Sequence, residues 1–246
     1  VVPSWVDKRT LVVASSFSGD TEEAISAFHS AKECGACIVV FTNGGTLMQL
    51  AKTSQYPVIH FDHHGEPRTA VGWGFMALIA VLQSLRRLPD MKGEIAEGTR
   101  ILTELALQYC PASLTKENPA KSLAIDLYGR LPMMYSAGLL SAVARRWKTD
   151  INENAKSWAV SEIIPELDHN AVTAYSLPDF ARRNATIIRL RSSFQDPRLE
   201  VRFQAIATLL DQAGVEHKDV MAQGMTPLSH ILSALCLGGW ASYYLG

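Results

Sequence analysis

The residues with the clearest chemical purpose lie in Ser15-Ser16-Phe17-Ser18-Gly19-Asp20-Thr21-Glu22-Glu23, which follows the apolar run TLVVA at residues 10–14. Ser16, Ser18 and Thr21 supply three hydroxyl donors, and Gly19 permits a tight turn with close backbone approach to a ligand. At the carboxyl end of a buried parallel strand, the next helix adds unpaired N–H groups and the positive end of its dipole. Such a loop suits a phosphate held without Lys or Arg, neither of which occurs in it. It has no Lys beside Ser or Thr as in a Walker loop and no GxGxxG fingerprint, which removes the two commonest nucleotide signatures. An ordinary Ser/Thr/Gly turn capping a helix uses the same residue types. Three hydroxyls spaced S-x-S-G-x-T directly after a strand favour a binding loop for a small phosphorylated ligand.

A second constellation lies far downstream. Glu153 sits in Asn152-Glu153-Asn154-Ala155-Lys156, after the basic cluster Arg145-Arg146-Trp147-Lys148, and His169 follows in Pro165-Glu166-Leu167-Asp168-His169-Asn170. A carboxylate and an imidazole on either side of a helix suit general acid and base work once the fold brings them together. The plain alternatives are an acid favoured by a helix amino terminus and an ordinary loop histidine. Arg68, in Gly65-Glu66-Pro67-Arg68-Thr69-Ala70, opens a long apolar segment. A fixed guanidinium there stabilises charge that appears only in a transition state, whereas its bland reading is an exposed Arg at a helix start. Asp62-His63-His64 lacks a second ligand pair spaced to complete a site, so no metal is expected. Cys34 and Cys37 form a CxxC, yet Cys34 ends a helix and Cys37 starts a strand, so both read as buried small apolar residues.

Alternating strand and helix patterns must position these groups. Residues 10–14, 37–42 and 57–61 read as strands, with a helix at 21–31, a turn at Asn43-Gly44-Gly45, a short helix at 47–52, a long one at 69–88 and another at 94–109. The polar segment 110–119, with two prolines, reads as a linker. The rhythm then restarts, with strands at 131–135, 185–190 and 215–221 and helices at 120–128, 139–148, 198–213 and 227–245. A further helix is expected to begin at the Asn152–Lys156 motif. Continuous apolar strands separated by helices imply parallel sheets covered on both faces. The 246 residues accordingly divide into two α/β domains, 1–112 and 113–246.

Composition narrows the partners. Lys plus Arg (23) nearly cancels Asp plus Glu (24), which gives no general attraction to nucleic acid or an anionic membrane. The apolar segment 228–246 carries His230, several Ser and three Gly, and reads as a buried helix rather than a bilayer span. The first residues do not form a secretory signal, and four scattered cysteines do not form a disulfide framework, so a cytoplasmic protein is expected.

The loop Ser16-Phe17-Ser18-Gly19-Asp20-Thr21-Glu22-Glu23 resembles the S-x-S-G-x-T-x-E loop of the SIS (sugar isomerase) family, and E-N-x-K followed by P-E-x-x-H-N resembles the signature of its bifunctional phosphoglucose/phosphomannose isomerases. The resemblance implies two SIS-type, flavodoxin-like αβα domains with parallel sheets, a phosphosugar substrate, no cofactor and a homodimer. It assigns phosphate binding to Ser16, Ser18 and Thr21, proton transfer between C1 and C2 to Glu153, ring opening to His169 and enediolate stabilisation to Arg68. Asp168 stands where that family usually has Asn, and a carboxylate there is expected to favour the charged form of His169. The family's glycine/serine-rich first loop and its final segment with a catalytic Lys are expected to be missing from this chain. Other SIS isomerases, and a non-catalytic phosphosugar sensor, are the competing functions.

Overall fold

The computed structural model describes all 246 residues, which form two compact units, Val1–Asp90 and Met91–Gly246. In the first unit the strands β1 (Leu11–Ser16), β2 (Cys37–Thr42) and β3 (Val58–His60) pair in parallel in the order β1-β2-β3. Alternation along β2 sends Ile38 and Val40 to one face, where Phe28 and Ala31 of α1 (Glu22–Glu33) and Leu47 and Ala51 of α2 (Gly45–Thr53) cover them. Val39 and Phe41 face the other way, against Ala77 and Val81 of α3 (Val71–Ser84). A short 3₁₀ turn, Pro67–Ala70, precedes α3, and the helix ends at Ser84 rather than running on to Pro89.

In the second unit, α4 (Lys92–Tyr109) and α5 (Pro119–Leu127) lead into β4 (Leu131–Ala137), and α6 (Ser141–Asp150) leads into β5 (Val160–Ile164). Two 3₁₀ turns and α7 (Asp179–Asn184) then connect to β6 (Ala185–Arg191), α8 (Pro197–Ala213), β7 (Glu216–Met221) and α9 (Pro227–Leu245). The four strands are parallel, in the order β5-β4-β6-β7. Met134, Ile188 and Leu190 meet a core built from α4, α5, α6 and α9, while Tyr135, Ala137 and Ile187 meet Phe203, Ile206 and Leu210 of α8. Both sheets are therefore the middle layers of αβα sandwiches, as the strand pattern requires.

Four expectations need correction. The division between units falls after Asp90, not at 112/113. The reason is packing: α4 belongs with α9, where Glu97 accepts from the Thr226 hydroxyl at 2.8 Å and the Tyr244 hydroxyl donates to the Tyr109 carbonyl. Segment 110–119 is consequently an internal turn whose Asn118 is fully buried and caps α5 through Ala120 N–H at 3.0 Å. The Asn152–Lys156 motif does not begin a helix; Ile151–Ala155 is a π-helical turn that finishes α6. Cys34 and Cys37 are exposed rather than buried, because they sit at the outer rim of the turn joining α1 to β2.

The tightest joint in the second unit is where α6 crosses α9. Trp147 is 1% exposed, its indole N–H donates to the Ala234 carbonyl at 2.8 Å, and its ring lies flat over Gly238. A Cβ at 238 would lie 2.2 Å from the indole nitrogen. Gly238→Ala is expected to force α6 and α9 apart and to lower stability by about 1–3 kcal/mol, read as a lower urea midpoint at unchanged slope.

Candidate active site

In the first unit every strand ends at the same edge, which brings residues 16–21, 42–46 and 63–69 together. The loop after β1 is pinned from inside. Ser16, 5% exposed, lies 2.7 Å from the Thr21 hydroxyl and accepts from Gly19 N–H at 3.0 Å, while Ser18 accepts from Asp20 N–H at 3.2 Å. Gly19 holds φ +79°, and a Cβ there would meet the Gly44 carbonyl at 1.9 Å, so only glycine permits this approach. Gly45, at φ +69°, meets Ser18 in the same way from the other side.

The Gly-Gly segment read from sequence as a simple turn is thus the second half of the loop. Leu47 N–H donates to the Gly19 carbonyl at 2.8 Å, and Asn43 N–H to the Phe17 carbonyl at 3.0 Å. Asp20 accepts from Thr46 N–H at 2.9 Å and from the Thr46 hydroxyl at 2.7 Å, and these bonds hold its carboxyl below the usual carboxylate range. Its negative charge is thereby occupied. The amino end of α1 carries no side-chain cap, so its first N–H groups remain open where Ser18 and Thr21 present exposed hydroxyls.

Arg68 stands at the same edge, in the 3₁₀ turn before α3, half-buried and 3.2 Å from the Glu66 carboxylate. His63 and His64 are engaged locally, His63 with the Thr69 hydroxyl at 2.7 Å and His64 with Asp62 at 3.1 Å. Asn43 donates to the His63 carbonyl at 3.0 Å, and Phe17 meets the His63 ring edge-on, which fixes the loops after β1, β2 and β3 against one another.

Within the second unit, Glu153 and His169 are not neighbours. Helix α6 returns from the carboxyl edge of the sheet to the amino edge, so the π-turn bearing Glu153 precedes β5 at one edge. His169 follows β5 at the other, in the 3₁₀ turn Glu166–His169. Five strand residues at about 3.3 Å each put roughly 15 Å between those edges. Strand β5, which sequence reading passed over, is what separates them. Asp168 pairs with Arg202, and its charge is directed there.

The loop after β6 repeats part of the pattern, with Ser192-Ser193-Phe194-Gln195-Asp196 where the first unit has Ser15-Ser16-Phe17-Ser18-Gly19-Asp20. Here the donors are spent: Phe194 N–H bonds to the Ser192 hydroxyl and Arg198 N–H to Asp196, which caps α8. Ser192 is locked in turn against buried His230, 2.9 Å away. Of these two loops, only that of the first unit leaves the following helix without a side-chain cap.

Comparison with known proteins identifies the family. Residues 116–246 match the model of the bacterial phospho-glucose isomerase C-terminal SIS domain. The chain is 32% identical over its whole length to a bifunctional phosphoglucose/phosphomannose isomerase of Caldicellulosiruptor bescii, spanning 73% of that protein. It is 31% identical over 176 residues, 70% of the chain and 53% of the relative, to a D-glucosamine-6-phosphate 4-epimerase of Sulfolobus acidocaldarius. In fold it is similar to a glucose-6-phosphate isomerase like protein from Thermus thermophilus, with a TM-score of 0.62 at 18% identity, over the whole chain and 83% of that structure. With its strand-end Ser/Gly/Thr loop, its E-N-x-K turn and its two parallel αβα units, the chain belongs to the bifunctional phosphoglucose/phosphomannose isomerase family of SIS-domain proteins.

Proposed function

We propose that this protein interconverts glucose 6-phosphate and mannose 6-phosphate with fructose 6-phosphate through a shared cis-enediolate. The observation that carries the reading is the hydroxyl-lined cradle at the uncapped amino end of α1, in a chain that also retains the E-N-x-K turn. In this reading the phosphate is held by Ser16, Ser18, Thr21 and the open N–H groups. Glu153 removes the C2 proton of the aldose and returns it to C1, Arg68 stabilises the enediolate, and His169 assists ring opening. Because the enediolate erases the C2 stereocentre, one base serves both epimers.

The placement of Glu153 and His169 at opposite edges of one sheet supports a homodimer in which a second copy supplies His169 to each site. A charged hexose phosphate does not cross a bilayer unaided, which supports a cytoplasmic enzyme, and its three sugars place it in glycolysis and gluconeogenesis. No helix is long and apolar enough to cross a membrane. The chemistry needs neither metal nor cofactor, since a carboxylate base and a fixed cation suffice for enediol isomerisation.

The test is to supply fructose 6-phosphate and follow glucose and mannose 6-phosphates, with glucosamine 6-phosphate in a parallel arm because of the epimerase relative. Both aldoses are expected. A single aldose, conversion of the amino sugar alone, or binding without turnover would overturn the reading. Glu153→Gln should cut kcat by about 10²–10⁴ while leaving phosphosugar binding near that of the wild type. Gly19→Ala, which drives a methyl group into the Gly44 carbonyl, is expected to raise KM by at least about tenfold; an unchanged KM would show that the cradle does not hold the phosphate.

A further inference from the structure

Beside Glu153 lies a feature that the proposed chemistry leaves unused. Lys148, Asn152, Lys156, Ser157, Trp158 and Ala159 line a cleft of about 570 Å³ in the second unit. Trp158 is 85% exposed, an unusual state for the largest side chain, which normally covers 150–250 Å² of apolar contact. The chain on either side of it is held in place. Asn152 donates to the Ser157 carbonyl at 2.7 Å across the turn, and Ala159 is buried as β5 begins.

Two backbone rarities produce this display. Ile151–Ala155 is π-helical, and Lys156 then adopts φ +55°, a left-handed conformation that costs a non-glycine residue energy and swings residues 157 and 158 outward. The Lys156 ammonium donates back to the Glu153 carbonyl at 2.5 Å, tying the strained residue to the turn that carries the proposed base. An ammonium has three donors, so Lys156 retains donors for a ligand, and Lys148 brings a second cation to the cleft.

We infer that Trp158 is a specificity-determining platform for the carbon chain of the substrate, with the apolar C–H face of the hexose phosphate laid on its indole and the sugar oxygens turned toward Lys148 and Lys156. This rests on the proposed isomerase reading. An apolar plane flanked by convergent polar donors is the composition of a small-ligand site, and a sugar offers the complementary pattern of a C–H face edged by oxygens. The fixed backbone around residue 158 means that little ordering is lost when the ligand arrives. Because stacking acts on substrate and transition state alike, its loss should appear in KM rather than in kcat.

Two measurements test this on the full chain. In steady-state assays with fructose 6-phosphate, Trp158→Ala should raise KM by about tenfold with kcat changed less than about threefold, and Trp158→Phe should recover most of the loss. In a fluorescence titration of Glu153→Gln with fructose 6-phosphate, indole emission should change saturably, and that change should vanish in Glu153→Gln/Trp158→Phe. Unchanged KM in Trp158→Ala, a fluorescence change that survives Trp158→Phe, or an altered sedimentation coefficient with unaltered KM would each overturn the platform. Failure of the isomerase reading is distinguished by the wild type forming neither aldose; a saturable change lost with Trp158 would still support a phosphosugar platform in that case.

Discussion

Parallel strands can be joined only by crossovers, and each crossover carries the chain from the carboxyl edge of the sheet back to the amino edge. Both units obey this constraint, and it decides where chemistry can sit. Residues that follow strands, such as the loop 16–21, the Gly-Gly segment at 44–45, Arg68 and His169, come out at carboxyl edges. Residues that precede strands, such as the Cys34–Cys37 turn and the Glu153–Trp158 segment, come out at amino edges. Glu153, the base of the proposed reaction, thus lies at the edge that an open sheet seldom uses for ligands. A π-helical turn carries it, and a left-handed Lys156 closes that turn.

The proposed phosphate cradle is built without fixed positive charge, and preorganisation would take the place of that charge. Two backbones approach at Gly19 and Gly44, and the only carboxylate within the turn, Asp20, is drawn aside by Thr46. The exposed Ser18 and Thr21 and the uncapped end of α1 are then held in fixed geometry from beneath by buried Ser16, which in the proposed reading lowers the reorganisation needed to meet an anion. The corresponding loop in the second unit shows the same residue types used for stability instead. There Ser192, Phe194, Asp196 and His230 satisfy one another, and the α8 terminus is closed.

Charge is handled differently inside the second unit. Arg189 and Arg191 of β6 are nearly buried, and Asp219 on the neighbouring strand β7 receives both, each at 2.8 Å. Arg191 also pairs with Glu200 and lies over the Phe203 ring, so α8, β6 and β7 are tied through one ionic cluster. Burial pulls the Arg189 pKa down, which is the cost that these partners offset. The cluster explains how so polar a strand as EHKDVM completes the sheet: its register places Asp219 directly opposite Arg189.

Much of this was written in local sequence. Apolar runs rich in β-branched residues at 37–42 and 185–190 are strands wherever they are buried on both faces, and Gly19 marks a close backbone approach, which the fold makes to the Gly44 carbonyl. What depends on distant partners was not legible. The Pro-rich segment 110–119 looks like a linker until α9 is present to bury Tyr109 and Asn118. The short strand VSEII has no distinctive pattern and is fixed by pairing with β4. Sequence alone determined that the chain carries a hydroxyl-rich Ser-Gly-Thr loop after a strand, a carboxylate and an imidazole, because those are matters of residue type and spacing. Only the tertiary structure decided that Glu153 and His169 lie at opposite edges of one sheet, because that follows from the direction in which each crossover returns, which no local pattern records.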